Sequence, residues 1–350
     1  MPQSRIAVLD AFRALAIIAV LFYHLGFLAE LEFATPLSGA GAFWSRVFSY
    51  GWLGVEFFFM ISGFVIFMTL ARVAGPIDFA VRRFARLYPA YLVSAGLVYL
   101  VTTLIEYPTN QHPLHDLMIA PLVDAPFFHA AYVSGAYWSL VAEARFYFWV
   151  CILYTLFARS FEIAWSLFCI FGYGVALTLA PAYSDVIGGE YLPFFTLGIA
   201  FYKIFDGKFD RRVAILLLIA VLGIALFWSE ENHDCNPAVM LLVIFSFVGL
   251  FALFLGNRLD FIATRPLLFL GRISYALYLV HLEIGISLIY WLRLHQVPAL
   301  LADSIALLAV AVLAQMISVT VEEKGKRAVL AWFRQLNGVA ARVPPAAGAE

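Results

Sequence analysis

Long apolar runs, broken by short polar and basic segments, dominate this 350-residue chain. They lie at approximately residues 6–28, 51–71, 89–106, 141–158, 163–180, 190–205, 213–229, 237–255, 273–291 and 299–320. A helix rises about 1.5 Å per residue, so ~20 apolar residues cross a hydrocarbon layer of roughly 30 Å. Each run reaches or approaches that length. The pattern predicts an all-α polytopic membrane protein with about ten transmembrane helices.

The basic residues orient those helices, because cytoplasmic loops carry the excess of Lys and Arg. With the N-terminus inside, the inner segments hold Arg5; Arg72, Arg82, Arg83 and Arg86; Arg159; Lys203, Lys208, Arg211 and Arg212; Arg258, Arg265 and Arg272; and Lys324, Lys326, Arg327, Arg334 and Arg342. That is eighteen of the 22 basic residues, against Arg46 and Arg293 in the outer loops. Arg13 and Arg145 lie within or at the edge of spans. A missed or invented span would scramble this alternation, so both termini are expected in the cytoplasm.

Composition agrees. The chain is 64% hydrophobic and 13% charged, where a soluble globule would carry about 25% charged residues. The net charge of -1 decides nothing for this class, since only the distribution matters. The first run starts near Met1 and lacks an A-x-A-like site after it, so it reads as a retained helix, not a cleaved signal. One transmembrane domain over residues 1–323 is expected, followed by a short cytoplasmic tail over 324–350 whose end reads as disordered. The outer loop from Tyr107 to Trp138 contains no Lys or Arg and is expected to fold back over the outer face. Cys151 and Cys169 fall inside spans and Cys235 stands alone, which suggests no disulfide framework. His112 and His115 lack the H-E-x-x-H helix of a zinc site, and no metal is predicted.

Candidate chemistry begins with DAFRALAIIAVLFYHLG, which puts Arg13 and His24 eleven residues apart in the first span. In a regular helix they lie about 16 Å apart along the axis, on one face with Asp10. An arginine at a helix centre costs about 2.5 to 3.5 kcal/mol on insertion scales, so these groups are expected to face protein or water. A salt bridge to Asp10 is the plain structural reading of Arg13, and a hydrogen-bonded interfacial histidine that of His24. In DFAVRRFARLYPAY, Arg83 and Arg86 stand three residues apart, so two guanidinium groups can converge on one anion. The positive-inside rule by itself would also place them there.

Three further segments carry polar groups into spans. Glu56, in GWLGVEFFFMISGF, enters the second span at nearly the depth of His24, where a carboxylate can fix an imidazole's tautomer. A partly solvated acid at a helix start is the rival reading. Ser139 and Glu143 are i,i+4 neighbours in YWSLVAEARFYF, which could equally be a helix cap with an acidic first turn. Ser274, Tyr278 and His281 form a polar stripe on one face of the ninth span, with His281 near the midplane, where interhelical hydrogen bonding competes with function.

Together these segments resemble the membrane acyltransferase-3 family, which O-acylates bacterial surface carbohydrates and some secreted small molecules. The resemblance runs from Leu9 to Glu323. It is carried by Arg13 and His24, G-V-[DE]-x-F-F-x-I-S-G-F (Gly54 to Phe64), R-R-x-x-R-x-x-P (Arg82 to Pro89), W-S-L-x-x-E-x-x-F-Y (Trp138 to Tyr147) and I-S-Y-x-L-Y-L-x-H (Ile273 to His281). Two positions depart from the pattern. Glu56 stands where the family usually has Asp, and Gly325 where a proline often follows the acid.

The resemblance implies an O-acetyltransferase of the bacterial cytoplasmic (inner) membrane. It would use cytoplasmic acyl-CoA, expected to be acetyl-CoA, as donor and a hydroxyl of a cell-surface or exported carbohydrate or glycolipid as acceptor. Neither nucleic acid nor metal has a part in it. On this reading Arg83 and Arg86 hold the CoA phosphates and Arg13 guides the thioester inward. His24 is the general base, oriented by Glu56 or Glu143, while Asp10, Ser139, Tyr278 and His281 line the cavity or support the oxyanion. The alternative from another class is a proton-coupled transporter of a small polar solute, since intramembrane Arg, His and Glu also serve carriers. No inverted repeat supports it.

Overall fold

A computed structural model describes residues 3–29, 40–70, 72–105, 133–178, 187–227 and 236–336. Regular structure among them is helical throughout. Helix α1 (Gln3–Leu21) continues into a π-helical turn at Phe22–Leu28. A short α2 (Ala40–Phe48) leads through a 3-10 turn at Gly51–Leu53 into α3 (Gly54–Leu70). Then come α4 (Pro76–Ile105), α5 (Trp138–Phe157), α6 (Phe161–Thr178), α7 (Leu192–Phe205), α8 (Arg211–Phe227), α9 (Pro237–Leu255), α10 (Arg265–Leu294) and α11 (Ala299–Ile317). A second π-helical turn, Ser318–Glu322, joins α11 to α12 (Glu323–Leu336).

Seven stretches are long and apolar enough to cross a membrane, by length and composition. They coincide in place with the apolar runs of the sequence but differ in number. Helices α5 and α6 form a single stretch, Gly135–Thr178, interrupted only by a 3-10 turn at Ala158–Ser160. Helices α7 and α8, at 14 and 17 residues, are shorter than a full span.

Burial separates an inner set of helices from an outer one. Helix α3 is apolar on every side, the signature of a helix enclosed by protein, and its partner α7 is buried without a break from Leu192 to Tyr202. The two backbones touch. A Cβ on Gly63 would lie 2.2 Å from Phe195 O, and one on Gly198 would lie 2.1 Å from Met60 O, so only glycine permits this crossing. Helices α1 and α10 complete the inner set, packing against each other, with α1 also on α3. Rings from α1, α3 and α9 (Phe12, Phe57, Phe64, Phe251 and Phe254) meet between them at centroid distances of 5.3 to 6.3 Å. The outer helices turn apolar side chains outward: Leu104 is 72% exposed, Leu242 68% and Leu300 82%. Such surfaces suit lipid, where leucine is not penalised and where every backbone group is satisfied within its own helix.

Helix α4 carries Pro89 in its interior, which removes one backbone donor. Nearby, Tyr275 Oη of α10 donates to Leu87 O at 2.8 Å. Helix α12 lies against the same place, with Gly325 so close that a Cβ there would meet Pro89 Cβ at 2.5 Å. The start of the tail is therefore a packed helix. Its last residues, 337–350, lie outside the described residues, as do His112, His115, Cys235 and most of the Tyr107–Trp138 loop. Of that loop, Val133 and Ser134 are buried, and Gly135 N donates to the Glu283 carboxylate of α10 at 3.0 Å.

Candidate active site

Five helices contribute one face each to a cavity of about 90 Å³. The contributions follow helical spacing. Helix α3 offers Val55, Phe58, Phe59, Ser62 and Val65; α5 offers Ser139, Glu143 and Tyr147, each four residues apart. Arg83 and Arg86 come from α4, Arg13 from α1, and Ser274, Tyr275 and Tyr278 from α10. The structure thus brings together residues that lie up to 265 positions apart in the chain, the separation of Arg13 and Tyr278.

The three arginines are held differently. Arg13 Nη1 donates to Asp10 Oδ1 at 2.6 Å, the salt bridge expected from their spacing. Arg83 is buried; its Nη2 donates to Thr69 Oγ1 at 2.6 Å, and its guanidinium lies 5.7 and 5.8 Å from the ring centroids of Phe79 and Tyr147. Arg86, half-buried on the cavity wall, makes no hydrogen bond or ion pair among the described residues. The Glu322 carboxylate attracts it without taking up its guanidinium donors.

Glu143 does not reach His24. Its Oε1 accepts from Ser62 Oγ at 2.6 Å and from the hydroxyl of Tyr147, so two hydroxyls fix the carboxylate on the wall that it shares with the arginines. Glu56 is 1% exposed, and its Oε2 has no hydrogen-bond partner. Neither acid is hydrogen-bonded to His24. Instead His24 Nδ1 lies 3.0 Å from Val20 O and 3.2 Å from Nε2 of His281. His24 lies in the π-helical turn that begins at Phe22, wound more loosely than an α-helix, and its ring meets that of His281 on α10.

A polar line nevertheless runs from the cavity to this histidine pair. Ser139 Oγ and Tyr278 Oη are 2.7 Å apart, and Tyr278 Oη donates to Ala136 O at 2.9 Å. The Tyr278 ring centroid lies 5.3 Å from that of His281, whose Nδ1 is 2.7 Å from Tyr278 O. Sequence reasoning overlooked Ser62, Thr69, Tyr147 and Tyr275. Ser62 and Tyr147 carried a legible signal: Ser62 is a hydroxyl four residues past Phe58 in an apolar helix, and Tyr147 continues the polar face of Ser139 and Glu143.

These features define a class: a multi-pass helical membrane protein whose interior holds a cation-rich cavity beside a histidine pair. A family model described as an acyltransferase domain matches residues 6–321. The chain belongs to the membrane acyltransferase-3 family, and it is a membrane O-acyltransferase. Among curated relatives, "Putative acetyltransferase ORF330" of Acidianus two-tailed virus is 26% identical over 290 residues, covering 80% of this chain and 82% of its own. "Putative membrane-bound transacylase BcsY" of Komagataeibacter xylinus is 27% identical over 336 residues, covering 88% and 80%. O-acetyltransferase OatA of Staphylococcus aureus is 27% identical over 319 residues, covering 79% of this chain and 50% of OatA, so the similarity spans half of that protein. No solved structure matches.

Proposed function

We propose that this protein moves an acetyl group from cytoplasmic acetyl-CoA to a carbohydrate hydroxyl presented at the outer face of the bacterial cytoplasmic membrane. One observation carries the reading: Arg13, Arg83 and Arg86 share a cavity wall with a hydroxyl-clamped carboxylate, and a line of polar groups leads from it to His24. The names of the relatives, an acetyltransferase and an O-acetyltransferase among them, point to the same chemistry.

The donor fits the cations present. CoA carries several phosphate charges, and guanidinium groups bind phosphate oxygens in pairs. Arg86 is the phosphate ligand without a competing partner, Arg83 adds a fixed charge beside it, and Arg13 marks the path toward His24. The thioester is then attacked by an acceptor hydroxyl. The hydroxyl proton goes to His24 Nε2 as the new C–O bond forms, the C–S bond breaks, and that proton returns to the departing sulfur as CoA-SH. The Ser139 and Tyr278 hydroxyls line this path, and either can turn its proton to the carbonyl oxygen only by giving up its bond to Ala136 O.

Purified protein given acetyl-CoA and a carbohydrate acceptor tests this directly. Release of CoA thiol that depends on the acceptor is expected, and His24→Ala should abolish it while leaving donor binding intact. Full turnover by His24→Ala would remove the base from the mechanism. Solute uptake into vesicles without thiol release would favour a carrier.

A further inference from the structure

Two nitrogens of one histidine rarely have their protons assigned by backbone geometry alone, yet here they do. The Nδ1 of His281 faces Tyr278 O at 2.7 Å. A carbonyl oxygen only accepts, so that nitrogen carries the proton, and the Nε2 of a neutral His281 is left with a lone pair. The same reasoning applies to His24, whose Nδ1 faces Val20 O at 3.0 Å and must also carry its proton. The single proton on Nδ1 of His24 then lies between two acceptors, Val20 O at 3.0 Å and Nε2 of His281 at 3.2 Å, so His281 receives one branch of a three-centre hydrogen bond donated by His24. The opposite assignment would set lone pair against lone pair at both carbonyls.

We infer that His281 is the positioning residue of His24, holding it in the tautomer that leaves the Nε2 lone pair available for the acceptor hydroxyl. This rests on the reading of His24 as the general base. The two rings differ in the way the role demands: His281 is fully buried, whereas His24 is half-buried. No side chain among the described residues bonds to Nε2 of His24. The approach of the rings is built into the helices. Gly285, one turn beyond His281, lets Leu25 next to His24 settle against α10, where a Cβ would meet Leu25 Cδ2 at 2.6 Å. His281 thus takes the place that the sequence assigned to Glu56 or Glu143, and an uncharged acceptor replaces a carboxylate.

The intact protein in lipid tests the assignment by two routes. With 15N-labelled histidine, the exchangeable proton of His24 should sit on Nδ1 and show coupling through the hydrogen bond to Nε2 of His281. Finding it on Nε2 of His24 overturns the proposal. By kinetics, His281→Leu should lower kcat about 10- to 100-fold, the usual loss when an imidazole's orienting partner is removed, with the donor KM changed less than about twofold. His281→Gln, whose side-chain oxygen can accept from His24, should recover most of kcat. Wild-type kcat in His281→Leu overturns the positioning role while an inactive His24→Ala leaves the base in place; an active His24→Ala would instead remove the base itself. Where His281→Leu fails to fold, the spectrum of the wild type and the Gln variant still decide.

Discussion

Replacing Arg86 with Ala separates a ligand-binding arginine from one that merely obeys the rule of basic inner loops. Arg86 lines the cavity without a bonding partner, so its removal costs the folded protein little. A charge-assisted hydrogen bond to phosphate contributes about 1.5 to 3 kcal/mol, and 1.4 kcal/mol is a factor of ten in affinity. Arg86→Ala should therefore raise the donor dissociation constant about 10- to 150-fold, with a stable, monodisperse protein and a kcat at saturating donor within a few-fold of wild type. Arg83→Ala should behave differently. It removes the bond to Thr69 and the stacking between Phe79 and Tyr147 as well as a charge, so folding and donor affinity fall together. Affinity is read by titrating acetyl-CoA into purified protein at two ionic strengths, since a phosphate contact weakens as salt rises. An unchanged affinity in Arg86→Ala, at low and high salt alike, would refute the assignment of the cavity to an anionic donor.

Further outcomes follow from the packing. Glu143→Gln exchanges two charge-assisted hydrogen bonds for neutral ones, a loss of about 1 to 3 kcal/mol, and its thermal unfolding combined with Ser62→Ala should be non-additive. Gly198→Val drives a side chain into Met60 O and should prevent recovery of folded protein, read as aggregation on size-exclusion chromatography. Tyr275→Phe leaves Leu87 O without its donor and should cost about 0.5 to 1.5 kcal/mol, visible as faster hydrogen exchange around Pro89.

Local spacing made part of the site legible. Arg13 and Asp10 at i,i+3 were bound to meet, Arg83 and Arg86 were bound to share one face of α4, and Ser139 with Glu143 one face of α5. Helical periodicity says which residues share a face but not which face they meet. Hence the partner of Glu143 proved to be Ser62, 81 residues away, and that of His24 proved to be His281, 257 residues away. The π-helical turn that carries His24 has no apolar signature, because it changes winding and not composition. The helix at Glu323–Leu336 was missed for a related reason: its basic residues resemble a tail until its packing against α4 is seen.

The handling of charge is itself the strongest argument that this interior has a ligand. Arg13 stands inside a span, where insertion scales put the cost at about 2.5 to 3.5 kcal/mol, and Arg83 and Arg86 sit in the first three turns of α4, half-buried or buried, where a purely structural site would also pair them. The same turns of α4 show what that looks like: Arg82, exposed and bonded to Asp78 at 2.8 Å, needs nothing else. In the cavity, Asp10 answers Arg13, and Thr69 with two aromatic rings answers Arg83. The one carboxylate on the cavity wall, Glu143, is turned to Ser62 and Tyr147 instead of being salt-bridged to Arg86. Arg86 attracts the Glu322 carboxylate but keeps its guanidinium donors unbonded, on a cavity lined by five helices. An anion entering that space takes up those donors, so binding of the donor and stability of the fold are linked. Donor at 100 times its dissociation constant should raise unfolding free energy by about 2.7 kcal/mol. The same addition should do far less for Arg86→Ala, because the guanidinium donors that would hold the anion have gone.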